Sequence, residues 1–591
     1  MKKSVRHAKK ARPAAEKALL TVGLTAGIMV AGGSVPAFAR TVPVPPSTSR
    51  AYHDSTSTAS ATYSGTGDQV TARAFHNSAA TSTAVGQGNH IWSAAGNGST
   101  AKDAANGNGN RSSADATNGG SAQNTVAGNH NYTSTTARGA GSTAEANVTG
   151  NGNGTTSTAA NGGKVGPFND ITGDGNRSHA AANGGTAWNH VSGDRNVSSA
   201  ETDNTGPTGG AENSVLGSGN TTTARASGLG STADNQVGTF GSIGFPGIPL
   251  SNSDDNTTSA TATGGGNSLN RVDGNQNTTT VMARGAGSYA SNTVQGNQNH
   301  TSTTALDGGL GQTVVQGNQN YTSATTSGAV GAAGTYVIGN RNVSVTNGGD
   351  NGVANNGVAG NGNRSYAVAN GAVDNGAAGS TAENVVTGDH NVSYADADNA
   401  GNGLYGLGAT NSVSGSGNTT NATADNGGSA DNQVNGNQNN VTAKSSGAGN
   451  SVSNTVSGNQ DYANGTARGA GSVANNSVTG NSDAATAVAS GGGQASSSVT
   501  GDQARANSHA TGAGSDASAS AEGTGSVATA SAADGGTATA DASDGEIAIA
   551  MALGYGAVSS ATDTTVYVSC PDAGDMASAT AGSGAKESCS S

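Results

Sequence analysis

The residues of this chain that could do chemistry are few and far apart. His130 and His390 sit in the phrases Gly-Asn-His-Asn and Gly-Asp-His-Asn. A metal site would need further ligands beside each of them. The matching places in other copies of the phrase hold Gly152, Arg195, Gln276, Arg341 and Gln438. A position that accepts this range faces solvent, so a solvated turn is the simpler reading. Asp170 and Asp174 could hold one loop ion, but the Gly-Gly-x-Gly-x-Asp string of calcium β-rolls does not recur. Asparagine stands two residues before Ser or Thr at Asn131, Asn147, Asn176, Asn196, Asn220, Asn277, Asn320, Asn342 and Asn391. In a eukaryotic secreted chain these would be glycosylation acceptors. The repeat itself fixes the asparagine, so turn formation is the simpler cause. Glycine runs such as residues 285–293 lack the Lys of a phosphate loop. Thr-rich stretches could present a hydroxyl face, but their spacing is irregular. No Ser/His/Asp grouping has motif context. The chain reads as non-enzymatic, with no cofactor and no metal.

What would have to position any site is a body of unusual composition. There are 591 residues, with 96 Gly, 5 Phe, 2 Trp and 5 Met, and 11% of residues are charged. A globular core needs large side chains, each contributing about 1.5–3 kcal/mol when buried. Two options remain: a disordered polar chain, or a thin repetitive fold. The net charge of −13 is too dilute to steer partners. The only dense basic cluster is Lys2, Lys3, Arg6, Lys9, Lys10 and Arg12, so no nucleic-acid partner is expected.

That cluster precedes an apolar run, Ala18 to Val30, and then Ala37-Phe38-Ala39. We read residues 1–39 as a secretory signal peptide cleaved after Ala39. The run is shorter than the roughly 20 residues a membrane helix needs. The expectation is therefore a secreted or wall-associated protein with no membrane contact after cleavage. Residues 40–60, rich in Pro and Ser, read as a linker.

The pattern [V/I/A/Y]-x-G-x-x-[N/D], allowing one drift, then recurs; the Val237 copy lacks its Gly. Its first position falls on Tyr63, Ala84, Ala105, Val126, Val148, Ile171, Val191, Val215, Val237, Val272, Val294, Val315, Val337, Val358, Val386, Val413, Val434, Val456, Val478 and Val499. The gaps run from 20 to 24 residues, apart from three of 35, 28 and 27. A fixed period of this kind marks a solenoid. The three long gaps read as loops leaving the stack, and the largest carries the apolar stretch 238–258. Each unit splits into two halves of about 11 residues, each alternating and closed by Gly, so each half is a strand and a turn. Gly and Asn at the corners supply positive φ.

The expected fold is all-β: an elongated β-solenoid of about 20 coils, two short strands per coil, with a rod roughly 100 Å long if coils lie about 4.8 Å apart. The alternative is a largely disordered chain. Residues 61–505 form the array. Residues 506–568 carry Ala-rich half-coils, in which Ile547, Ile549, Met551 and Leu553 share one face and Ala548, Ala550 and Ala552 the other. Residues 569–591 form a tail holding the only cysteines, Cys570 and Cys589, whose even count predicts one disulfide.

The array, roughly 60–505, resembles curlin, the subunit of bacterial curli fibres. Curlin repeats are also about 22 residues, with two strands and a Gly-x-x-Asn turn. Gly128-Asn-His-Asn131 and Gly296-Asn-Gln-Asn299 fit that turn. The regular strand glutamines of curlin are absent here. The array is also similar to glycine-rich repeat proteins secreted by mycobacteria, and the long basic leader resembles actinobacterial signal peptides. The expected function is structural or adhesive, at or outside a bacterial surface. The expected partners are envelope, matrix or glycan surfaces. Self-association into a curli-like matrix is the alternative.

Overall fold

The computed structural model describes residues 46–588 apart from 166–168, 203–209, 239–252, 330, 350–351, 372–379, 399–407, 426, 513, 524–525, 534–536, 544–546, 554–557, 563–565, 571–575 and 581–585. Pro45–Ser591 is one compact unit. Residues 1–39, read as a signal peptide, with the expected cleavage site at Ala39, and Cys589 lie outside the described residues, as do the tips of the three excursions. Cys570 ends the strand Val566–Cys570, and the expected pairing with Cys589 falls outside what is described.

The described residues hold 50 strands and no helix. The strands form a β-solenoid of two parallel sheets, and each coil gives one strand to each sheet. The first sheet opens with Thr48–His53, Gln69–Phe75 and His90–Gly96. The second opens with Thr58–Thr66, Ala79–Gln87 and Thr100–Asn106. Alternation makes the strands. In Tyr132–Arg138 the residues Thr133, Thr135 and Ala137 turn inward and are buried, while Tyr132, Ser134, Thr136 and Arg138 face out. The buried inward places hold mainly Ala, Val, Thr, Ser and Asn, with Ile91 and Ile171 the largest side chains among them.

Every first position of the sequence pattern stacks on the next. Val126 pairs with Val148, Val148 with Ile171 and Ile171 with Val191. The register survives all three long gaps: Val237 pairs with Val272, Val358 with Val386 and Val386 with Val413. From Ala84 to Val358 this column belongs to one buried cluster, and alanines such as Ala72, Ala74, Ala80 and Ala101 form another, while Tyr63 at the head of the column is exposed. An insertion of any length between two strands leaves the hydrogen-bonded ladder intact, since a parallel sheet couples neighbours in space and not in sequence.

The ladder starts at Thr48, inside the stretch read as a linker, and Thr48–His53 pairs in parallel with Gln69–Phe75. The proline run of this stretch ends at Pro46. At the other end the ladder runs through residue 505 without a break, Arg505–His509 pairing with Val527–Ala533 and that strand with Ile547–Leu553. There the alanine face is the inner one. Ala548 and Ala550 are fully buried, whereas Ile547 is 37% and Met551 40% exposed.

Asparagine supplies positive φ at one corner of the coil, as at Asn97 (55°), Asn118 (56°) and Asn161 (54°), but not at the close of the Gly-x-x-Asn turn. The first Gly has φ near +125°, as at Gly128 (+123°) and Gly296 (+127°). The second left-handed residue is the variable one: His130 (57°), Gln276 (59°), Arg341 (59°) and His390 (58°). The closing Asn is not strained at all. It is turned inward.

Candidate functional site

The asparagines carry the chemistry of this fold, as three stacked ladders. The corner ladder runs unbroken from Asn89 to Asn439 through each closing Asn of the turn. Asn299 shows the unit: its backbone N–H donates to Asn277 Oδ1 (2.9 Å), and its Nδ2 donates to Asn277 Oδ1 (3.1 Å) and to the Gly317 carbonyl of the following coil (2.8 Å). One amide thus ties three coils together. The inner ladder uses the Asn two residues before the valine. Asn411 Nδ2 donates to Asn384 Oδ1 (2.8 Å), and Asn432 Nδ2 to Asn411 Oδ1 (2.8 Å). Its amides also cross the core, as Asn124 Nδ2 does to the Ser113 carbonyl (2.7 Å). The outer ladder lies on the turn surface, where the Asn297 N–H donates to Asn318 Oδ1 (2.8 Å) and the Asn318 N–H to Asn340 Oδ1 (2.9 Å). Sequence reasoning saw turn formers. It missed that most are buried hydrogen-bonding columns.

This settles where the glycosylation-like asparagines stand. Asn131, Asn176, Asn196, Asn220, Asn277, Asn320, Asn342 and Asn391 belong to the corner ladder and are at most 1% exposed. Only Asn147 of that set lies on the outer face of a strand, Thr143–Thr149. A folded chain offered to an oligosaccharyltransferase is therefore expected to stay unmodified at the eight ladder positions, while the unfolded chain accepts glycan there. Peptide mass spectrometry of both samples checks this, and glycan on folded Asn320 would contradict the ladder.

The histidines read as solvated turns stand between glycines. A side-chain carbon added at Gly109 or Gly362 would touch the ring of His130 or His390. Asp174 joins the outer ladder, accepting from the Asn151 N–H (2.6 Å), while Asp170 faces His190 with Oδ2 to Nδ1 at 3.7 Å. The two acids are thus engaged separately. Among the described residues no group of three His, Cys, Asp or Glu is placed to hold a metal ion.

Register does assemble one mixed polar patch, on the outer face of the second sheet. One column stacks Trp188, Glu212, Asp234 and Leu269, and the column beside it Asp170, His190, Ser214, Gln236 and Arg271. The chain positions 203–209 and 239–252 enter and leave these same strands. Glu212 and Asp234 are half-buried. Burial raises the Glu212 carboxyl, against the Ser214 hydroxyl, which donates to Glu212 Oε1 (3.5 Å), and against His190. Burial first, and then repulsion by Glu212, pushes Asp234 up to about 6, while Arg271 works the other way. Asp170, His190 and Ser214 fall in line, but the imidazole–carboxylate separation of 3.7 Å exceeds hydrogen-bond reach and the serine hydroxyl is directed at Glu212. The patch has the makings of a recognition surface for polar, hydroxyl-rich or cationic groups. Its members are 20 to 35 residues apart along each column, so only writing the sequence in register would have found it.

No protein-family model, curated protein or solved structure matches this chain. The curlin and mycobacterial likenesses therefore rest on the repeat and its turn alone.

Proposed function

We propose that the protein is an exported, non-enzymatic structural rod whose excursions and outer-face patch make adhesive contacts outside the cell. The observation that carries this reading is the unbroken register of the valine column across excursions of very different length. Such a fold holds variable segments at fixed stations along a stiff support, as binding repeat proteins do. Export rests on the leader of residues 1–39, whose basic start, apolar run and Ala37-Phe38-Ala39 site fit a secretory signal. The test is solid-phase binding of the full chain to polysaccharide- and matrix-coated surfaces beside a chain lacking residues 239–252. The expected result is at least about tenfold weaker binding by the shortened chain, a loss of about 1.4 kcal/mol, with unchanged circular dichroism. Equal binding of both chains to every surface removes the adhesive part.

A second reading is a self-assembling matrix subunit. The strand Thr48–His53 favours it: all six residues are exposed, and it pairs on one side with Gln69–Phe75. Among the described residues its other edge has no partner strand, and an open parallel edge is a template for a further strand. Concentration-dependent fibre growth by the full chain would select this reading over the monomeric rod.

A further inference from the structure

The corner ladder changes chemistry at its C-terminal end. Asn439 is its last amide, and its Nδ2 donates to the Gly458 carbonyl (2.9 Å). The next two coils place Asp461 and Asp483 at the same station, buried to 1% and 2% exposure, and the coil after them places Ala504 there. Half of the amide's work continues. The Asp461 N–H donates to Asn439 Oδ1 (2.8 Å), the Asp483 N–H to Asp461 Oδ1 (3.0 Å) and the Ala504 N–H to Asp483 Oδ1 (2.8 Å). The other half does not. Oδ2 of both residues is buried and has no hydrogen-bond partner.

That second oxygen stands where the amide nitrogen stands in the other coils. A Cβ added at Gly415 would be flanked by the Gly436 carbonyl oxygen and Asn418 Nδ2, which are acceptor and donor to each other. A Cβ added at Gly458 would be flanked by the Gly480 carbonyl oxygen and Asp461 Oδ2, and one at Gly480 by the Gly501 carbonyl oxygen and Asp483 Oδ2. A carbonyl acceptor thus meets a carboxylate acceptor, and only a proton on the carboxyl restores the missing bond.

We propose that Asp461 and Asp483 form a proton-operated joint, closed when the carboxyls are protonated and donate to the Gly480 and Gly501 carbonyls, and loosened when they ionise. The titratable groups acting on the pair are each other and Asp502, all acids; Arg505, one residue beyond Ala504, stands on the exposed outer face. Burial is the largest cause raising both carboxyls, and Asp483 is pushed up to about 6 from an ordinary 3.8. The direction follows. The unfolded segment ionises near 3.8 and the folded one higher, so the joint is at full strength in acid below the lower value and loses strength as pH rises through about 6.

The experiment is hydrogen–deuterium exchange of the full chain, corrected for intrinsic rates, with peptides covering residues 440–510 followed at about pH 5 and about pH 7.5. Wild type is expected to lose at least about tenfold protection there between the two conditions. The double variant Asp461→Asn, Asp483→Asn, which restores the residue used in the preceding coils, is expected to be equally protected at both. Peptides from the central coils, 275–345, report whether the variant is folded. Three results overturn the proposal: pH-independent protection in wild type, an unchanged pH response in the folded variant, or recovery of wild type at the higher pH on adding calcium, which would make a cation and not a proton the closing group. Should the double variant lose protection in the central peptides, the single variant Asp483→Asn is read in the same way, and a full wild-type pH response in it counts against the joint.

Discussion

Gly317→Ala is expected to unstack the array locally, with a loss of about 3–5 kcal/mol for the coils around it, at the upper end of single-substitution effects. Gly317 has φ +133°, a conformation that any L side chain resists. The strain is the smaller part. An added Cβ would overlap the carbonyl oxygen and carbon of Gly339 in the next coil, and both are backbone atoms of a hydrogen-bonded ladder that cannot step aside. The adjoining bonds would open with it: the Gly317 N–H to the Gln295 carbonyl (2.9 Å), and Asn299 Nδ2 to the Gly317 carbonyl (2.8 Å). Limited proteolysis should show new cleavage between residues 295 and 340, with distant coils unaffected because each coil touches only its neighbours. Gln319→Gly is the control. Gln319 is left-handed too (60°), but glycine adopts that conformation freely and adds no atom to the turn, so the change should stay within about 1 kcal/mol. Intact proteolytic resistance in Gly317→Ala would show that the glycine column is not closely packed.

Ser253 explains why this column is glycine elsewhere. It occupies the same station in its coil, since a Cβ on Gly217 would meet the Ser253 carbonyl, and its Oγ accepts from the Gly274 N–H (2.9 Å). Ser253 is not among the residues with positive φ. It follows the insertion 239–252 in sequence, and without a positive φ it carries a side chain at this station. The Val237 copy of the sequence pattern lacks its glycine for this reason. Its turn is Ser253-Asp254-Asp255-Asn256, displaced by the insertion, with Asp255 taking the left-handed place (56°) and the Asn256 N–H rejoining the ladder at Asn220 Oδ1 (2.9 Å).

The same contrast runs through the fold. The valine column was legible because one branched side chain per coil has only one place to go. The two-strand coil was legible because alternation closed by Gly has one backbone meaning. The ladders were not. Asn131 and Asn129 look alike in sequence, yet Asn131 is 1% exposed and bonds to the preceding coil, while Asn129 sits on the turn surface and bonds to the following one. That difference exists only once coils are stacked. The polar patch was hidden for the same reason: His190 and Ser214 are 24 residues apart and become neighbours through register alone.

Asp103 occupies the inner ladder, in register with Ser82 before it and Asn124 after it. It is 2% exposed; Oδ1 accepts from the Ser112 hydroxyl, and Oδ2 is buried without a partner. Burial pushes its carboxyl up to about 8, the hydrogen bonds from Ser112 and Asn124 offsetting only part. The folded chain therefore keeps this group neutral where the unfolded chain, with an ordinary value of 3.8, has ionised it. Its contribution to stability is fully present below about pH 4 and is lost as pH rises through about 8. Asp103→Asn is expected to remove that loss and to strengthen the N-terminal coils at neutral pH by on the order of 2–4 kcal/mol, at about 1.4 kcal/mol for each tenfold difference in proton affinity between the folded and unfolded chain. The new amide would stand one coil before Asn124, whose Nδ2 donates to the Ser113 carbonyl (2.7 Å), so it enters a place already shaped for an amide. Exchange protection of peptides from residues 79–127 should rise at neutral pH and become nearly flat from about pH 4 to about pH 8, whereas wild type declines across that range. If the variant is no better protected than wild type at neutral pH, the carboxyl at 103 is solvated or compensated, and the inner ladder tolerates charge that its burial forbids.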